Sequence, residues 1–449
     1  MLAKPSPLLT RLMDRLEKMP VIDCHEHLAG PYVGLDSYKE PIAFLSLMYM
    51  INDFWSAGAG PSEIELIQDP EAGTDQKWPL FSRLWSATQH TAYARVTKLV
   101  LEREYGIKEL NRSALDKVAE RLAGRDSASY LRILEQAHIK AVISDCLTPP
   151  KKERQAIYSG NSVLKRFLNK QFPMPANWRP AFPLPYFHEI RRRDFLDYVT
   201  SLTGRTITCL TDYKEAVLEL IKKSMTLGVI ALKDQSAYRR VIQYDLAPRS
   251  DAERLFNKLL TDPQNQLAWP EAKPLDDYLF HQFMRFAQEL RLPVQIHTGH
   301  LAYTGNRVDK TNAAHFASIL ELYTSVRFDL FHANWPYLGD ILFLGKNYQN
   351  VALNACWAAM IDPLYTIEFF KRSLTVMPQN KIHAFGGDYR EGPEFVSAHL
   401  ALAKEALAAA LADLCESGWL EEEQAVRVAA DWLFNNPNRF YGLGLEPYQ

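Results

Sequence analysis

Val21-Ile22-Asp23-Cys24-His25-Glu26-His27-Leu28 is a short apolar run that ends in two histidines two residues apart. In a β-strand, side chains at i and i+2 point to the same side, so His25 and His27 can reach one point while Glu26 faces away. Two imidazoles aimed at one point are half of a metal site. A His-x-His pair also arises by chance. Its weight depends on whether later strands end in further ligands.

The rest of the chain supplies those strands. Apolar runs follow at 141–145, 180–187, 228–233, 293–297, 327–332, 351–354 and 381–388, and with 20–24 they make eight. Helical patterns lie between most of them, at 153–169, 213–226, 275–290, 312–324 and 363–376, residues 337–347 connect the sixth run to the seventh, and the Ala-rich tail 394–442 is helical. Such alternation predicts a parallel sheet, and eight units predict a (β/α)8 barrel. No GxGxxG opens a helix after the first strand, which excludes a dinucleotide fold. Residues 30–125 carry no β pattern and read as a helical insertion after the first strand, within one barrel domain spanning 1–449. Its aromatics serve as core, or as a lid over a pocket.

Composition narrows the class. The chain has 449 residues, is 47% hydrophobic and 23% charged, and has a formal net charge of −2, so no global field favours nucleic acid or an anionic membrane. No uninterrupted apolar run of transmembrane length appears. The first residues lack the apolar core of a signal peptide, so a cytoplasmic protein is expected. Five cysteines, odd in number and widely spaced, argue against a disulfide framework. Cys24 and Cys356 flank site strands and are read as buried packing.

In a barrel of this kind catalytic groups sit at the C-terminal strand ends. Here those ends carry His25 and His27, Lys233-Asp234-Gln235, His297-Thr298-Gly299-His300, His332-Ala333-Asn334-Trp335, and Gly387-Asp388-Tyr389-Arg390. Zinc and similar ions take imidazole nitrogen and carboxylate oxygen and leave one position for water. His25, His27, His297 and Asp388 make such a set, for one divalent ion, Zn2+, rather than two. Asp388 can also accept a proton from an activated water. His332 completes a second ion's site or acts as acid/base. Lys233 has three readings: a carbamate bridging two ions, an ammonium binding a substrate carboxylate, or a partner of Asp234. The second is preferred. Arg390 suits a carboxylate through its two-pronged guanidinium, or else makes a salt bridge. His300 and Trp335 complete the substrate side, with core packing an equal role for Trp335 and Trp357. Arg191 to Arg193, after the third strand, read as a solvated helix start.

The set resembles the amidohydrolase superfamily. His25 and His27 match its motif after strand one, His297 and His332 its histidines on strands five and six, and Asp388 its aspartate on strand eight. The closing Phe434-Asn435-Asn436-Pro437-Asn438-Arg439-Phe440-Tyr441-Gly442-Leu443 is similar to the family's ending. Leu232 to Arg239 and Gln295 to Gly299 resemble the amidohydrolase-related branch that includes domains fused to glutamine-synthetase-like proteins. The helical insertion and Asp388-Tyr389-Arg390 resemble uronate isomerase, although the Arg-Asn-Asn-Asn run of those enzymes is replaced here by Leu301-Ala302-Tyr303-Thr304-Gly305. The resemblance implies a metal-dependent hydrolase acting on an amide, ester or lactone of a small, carboxylate-bearing molecule. Its alternative is a lyase or isomerase on the same site, a decarboxylase or a uronate isomerase-like enzyme. A metal-binding domain without turnover is a third class, disfavoured by the full ligand set. The aromatic insertion is a surface on which a homo-oligomer can be built.

Overall fold

The computed structural model describes residues 6–28, 30, 39–47, 49–148, 162–303, 305–390 and 392–449. Eight parallel strands follow chain order: β1 (Val21–Glu26), β2 (Ile139–Ser144), β3 (Trp178–Pro183), β4 (Ala231–Asp234), β5 (Val294–Ile296), β6 (Phe328–Leu330), β7 (Val351–Asn354) and β8 (Ile382–His383). Each pairs with the next. Across β4 to β7 the register sets Leu232 beside Val294, Val294 beside Phe328, and Phe328 beside Val351. The segment after β8 closes the ring onto β1. Cys24 N donates to Phe385 O at 3.1 Å, Asp388 N to His25 O at 2.9 Å, and His27 N to Tyr389 O at 2.9 Å. The fold is a (β/α)8 barrel.

Eight strands stand in the order the sequence predicts, but the run expected at 180–187 is strand only to Pro183 and turns helical at Pro185–His188, and of 381–388 only Ile382–His383 is strand. β1 runs on through Glu26, so His25 lies within the strand. The pattern at 312–324 is a 3-10 turn, Ala313–Phe316, followed by a short helix, Ala317–Leu322. Helix Arg193–Thr203 follows the helix start expected at Arg191 to Arg193, and helix Arg249–Thr261 has no counterpart among the expected elements. Of the helix expected at 153–169, residues 153–161 lie outside the described residues, and Val163–Leu168 is helical. The insertion is helical, from Pro41–Leu45 through Thr74–Thr88 and Ala92–Tyr105 to Arg112–Ala123. Most of its aromatics are core: Phe44, Phe54 and Phe81 are buried.

The barrel interior shows how the C-terminus contributes. Ile22, Cys24, Ile143 and the small residues Ala141, Ala181 and Ala231 pack with Phe434 and Tyr441. Alanines on three neighbouring strands leave the volume that these two rings occupy. The helix Pro393–Glu416 has a mean hydropathy of 1.4 over its most apolar stretch, enough by length and composition to cross a membrane, but 94% of that stretch is buried in the protein.

Arg191 departs from the solvated role expected of it. Its guanidinium makes a two-pronged pair with buried Asp276 at 2.5 and 2.6 Å, and Arg240 and Asp277 extend the buried charge network. Arg192 and Arg193 do serve a helix start, paired with Asp194 and Asp197.

The loops after β5 and β6 pack backbone to backbone at Gly299. Its φ is +67°, and a Cβ there would lie 2.6 Å from Asn334 C and from Trp335 O. Gly299→Ala is expected to lower stability by about 3 kcal/mol, read as a fall in the urea midpoint. An unchanged midpoint would show that these loops are free to separate.

Candidate metal centre

Polar side chains converge at the C-terminal ends of the strands. His25 and His27 set their rings 4.9 Å apart, as the i, i+2 geometry of β1 requires. Both point at one carboxylate oxygen: Asp388 Oδ1 lies 3.4 Å from His25 Nε2 and 3.2 Å from His27 Nε2. The other nitrogen of His27, Nδ1, lies 3.5 Å from Asp145 Oδ2. Asp145 directly follows β2 and is buried. Asp145 closes the apolar run 141–145, and a carboxylate in that position meets the same strand-end criterion as Asp388. Its Oδ1 accepts from Thr148 Oγ1 at 2.6 Å and its Oδ2 from Gln235 Nε2 at 3.2 Å.

His297 and His332 form a second pair. His297 Nε2 is 2.7 Å from His300 O, and His332 Nδ1 is 2.9 Å from Cys356 O. A carbonyl oxygen can only accept, so both of these nitrogens carry the hydrogen. The remaining nitrogens, His297 Nδ1 and His332 Nε2, are then bare lone pairs that face each other at 3.2 Å. His297 therefore turns toward His332. Cys356 stands with its Sγ grouped with ligand atoms of His332 and Asp388.

Burial sets the charge states. It pushes His25 and His297 well below the usual imidazole range and His332 down to about 4, so these rings are neutral donors of lone pairs at neutral pH. Burial also opposes ionisation of Asp388, but the adjoining imidazoles of His25 and His27 outweigh it and hold the carboxyl well below its ordinary value. Behind the pair, burial lifts Asp23 to about 7 and Glu26 well above its normal range. Gly387 has no side chain because Glu26 fills the space: a Cβ would lie 1.8 Å from Glu26 Oε1. Non-glycine residues with positive φ cluster here, at His332 (63°), Ala333 (46°), Asn334 (54°), Trp357 (61°) and Asp388 (63°). Such strain persists where surrounding structure holds it, and it gathers at functional sites.

Lys233 is 1% exposed, and its Nζ has no hydrogen-bond partner among the described residues; it sits 4.1 Å from the centre of the Phe331 ring. It does not pair with Asp234, which bonds His188 Nε2 at 2.6 Å and Ser236 N at 2.8 Å. Burial lowers the Lys233 pKa, against the pull of Asp388 and Asp145. Arg390 is half-buried, and its charge acts on Asp145. His300 meets Tyr93 OH at 3.3 Å and lies between Trp335 and Trp357, 5.3 and 4.9 Å from their rings. Trp335 is anchored by Nε1 to Asp362 Oδ2 at 3.3 Å, and Trp357 is fully buried. The insertion reaches the site through Tyr93 and through Tyr49, whose hydroxyl donates to Asp388 O.

The sequence profile of the family described as Amidohydrolase matches residues 209–443, more than half of the chain. The chain belongs to the amidohydrolase family. The match takes in Lys233, His297, His332 and Asp388. His25 and His27 lie outside it and join this amidohydrolase site through the fold. The chain is 29% identical over 232 residues to protein fluG of Emericella nidulans; the match covers 49% of this chain and 26% of fluG, so the chain spans about a quarter of that relative. Among solved structures, a uronate isomerase from Thermotoga maritima aligns with a TM-score of 0.74 at 13% identity, covering 98% of this chain and 99% of the other. A glucuronate isomerase from Caulobacter crescentus gives 0.73 at 16% identity, covering 99% and 96%. A protein from Lactobacillus casei described as a metal-dependent hydrolase gives 0.66 at 16% identity, covering 96% and 97%. At these identities the structures share the fold.

Burial drives the His300 pKa down to about 4. Below the unfolded value of roughly 6.5, the unfolded chain therefore binds a proton that the folded chain refuses, and stability falls as pH drops toward 4. In the metal-free protein His300→Gln is expected to ease that slope by about one proton, ~1.4 kcal/mol per pH unit. Urea unfolding at stepped pH measures it, and identical slopes would place His300 in water.

Proposed function

We propose that this amidohydrolase is a metal-dependent hydrolase of a small amide, ester or lactone that carries a carboxylate. The observation that carries this reading is the aim of two imidazoles, His25 and His27, at one oxygen of an ionised, buried carboxylate, Asp388. His25 Nε2 is buried without a hydrogen-bond partner among the described residues, and an unpaired buried acceptor is costly unless a cation takes it up. The donor set of imidazoles and carboxylate fits Zn2+, which when bound supplies a Lewis acid and lowers the pKa of a coordinated water.

The protein's own groups do the rest. Asp388 uses Oδ1 toward the imidazoles and keeps its second oxygen to accept the proton of the attacking water and pass it to the leaving group. Tyr49, through Asp388 O, and the barrel-closing bond from Asp388 N hold that carboxylate in place. Arg390 at the rim suits a substrate carboxylate. His300, Trp335 and Tyr93 make the neighbouring wall.

A second ion position is favoured by the facing lone pairs of His297 and His332, which repel unless a cation lies against them, with the unpaired Lys233 amine buried nearby. Metal titration of the apo-protein is expected to give one tightly held ion, lost in His27→Ala, and a weaker one, lost in His332→Ala. Unchanged stoichiometry in His332→Ala overturns the second position.

Isomerase or lyase chemistry is the second reading, favoured by the whole-chain likeness to the two sugar-acid isomerases. Turnover in 18O-labelled water separates them. Label entering the product supports hydrolysis, and exchange of a solvent proton at carbon without label overturns it. Asp388→Ala is expected to reduce kcat/KM by at least a thousandfold, about 4 kcal/mol.

Lys233→Met removes a buried amine that has no partner. It is expected to leave the metal-free fold equally stable or firmer by about 1 kcal/mol, while turnover falls at least a hundredfold. A variant that loses stability would assign Lys233 to the scaffold.

A further inference from the structure

We infer that Gln295 is a positioning residue that sets the tautomer of His25, and that Tyr441, from the C-terminal helix, holds Gln295 in the required orientation. The inference rests on the metal reading above and concerns groups to which that reading gives no part.

His25 differs from His297 and His332 in what holds its rear nitrogen. Those two lean on backbone carbonyls, which have one sense. His25 Nδ1 lies 3.2 Å from a side-chain amide oxygen, Gln295 Oε1. A glutamine amide has two ends, and a flipped amide would present its NH2 to His25 and demand the opposite tautomer. The lone pair would then be at Nδ1, and a hydrogen at Nε2 would stand in the metal position.

The surroundings permit only one orientation. The other end of the amide, Nε2, is 2.9 Å from Cys24 O, which can only accept, so that end is the nitrogen. Its second hydrogen goes to Tyr441 OH, also at 2.9 Å. Tyr441, acting as acceptor there, donates its own hydrogen to Asp329 Oδ2. The same oxygen takes Asn354 Nδ2 at 2.9 Å and lies 3.0 Å from His383 Nδ1. Gln295, Asp329, Asn354, His383 and His25 all show 0% exposure, so the links are shut off from bulk water. Each donor has one acceptor to go to, and the order of bonds runs in one direction from His25 to Asp329. An outer group of this kind fixes ring orientation and raises the ligand's basicity, and its loss typically costs ten- to a hundredfold in metal affinity.

The test uses the full chain at pH 8, where the imidazoles are neutral, and compares wild type, Gln295→Met and Tyr441→Phe. Zn2+ affinity is measured by competition with a chromophoric chelator, and circular dichroism melting of the metal-free proteins checks the fold. In parallel, 15N-imidazole spectra of metal-free, histidine-labelled protein report the His25 tautomer, assigned by the signal lost in His25→Gln. Expected are a His25 ring protonated at Nδ1 in wild type, a mixture of tautomers with ten- to a hundredfold weaker zinc in Gln295→Met, and a several-fold loss in Tyr441→Phe. If Gln295→Met does not fold, Tyr441→Phe alone decides, because it removes one oxygen and leaves Gln295 bonded to Cys24. Wild-type His25 protonated at Nε2, or zinc affinity and tautomer both unchanged in the variants, overturns the inference. A wild-type protein with the expected tautomer that binds no zinc leaves the positioning role standing and removes the metal reading instead.

Discussion

A neutral imidazole offers a metal only one nitrogen, and which one is decided on the far side of the ring. That constraint organises this protein. His297 and His332 are settled by the carbonyls of His300 and Cys356, and His25 by Gln295. Each rear contact needs its element in a particular place. The turn after β5 must return His300 O to its own strand end. The segment after β7 must bring Cys356 O beneath β6, with Trp357 at φ 61°. The strained residues are therefore grouped around those contacts, and the barrel supplies the stability that lets them persist.

The second layer is a polar thread through an otherwise apolar barrel. One side of the interior, from β1 to β4, is filled by alanines, isoleucines and the rings of Phe434 and Tyr441. The other side, from β5 to β8, carries Asp329 bonded to Asn354 and His383, and Gln295 joined to Asp329 through the Tyr441 hydroxyl. Tyr441 touches both, with its ring packed among the apolar residues and its hydroxyl in the thread. Asp329 Oδ1 and His383 Nε2 have no partner among the described residues, and the bonds that are made favour one arrangement of the core. The two halves of the barrel thus do different work: one packs, and the other orients.

The barrel and the strand-end histidines were legible in the sequence because both follow from periodicity and position. Asp145 and Cys356 were less so, since a carboxylate or thiol ending an apolar run also reads as an ordinary turn or packing residue. Lys233 was recognised at its strand end, but its isolation from Asp234 depends on His188, which no local pattern links to β4. The facing lone pairs of His297 and His332 depend on two carbonyl oxygens and have no sequence signature. Gln295 did leave a trace. It is the polar centre of the three-residue strand Val294–Ile296, as Asp329 is of Phe328–Leu330, and a polar residue at such a place in a buried parallel strand calls for a partner. Arg191 was misjudged because its partner, Asp276, lies far along the chain, where composition cannot reveal it.

The seam between β1 and the segment after β8 has a consequence for biosynthesis. β1 leaves the ribosome well before the backbone groups that complete it, at Phe385 and Tyr389, which come more than 360 residues later. At roughly 5–20 residues per second that interval is about 20 to 70 s. Through it, the strand bearing the His-x-His pair has an open edge of the kind on which foreign strands pair. Ring closure and assembly of the ligand set are consequently one late event, because the backbone hydrogen bond from Asp388 to His25 belongs to both.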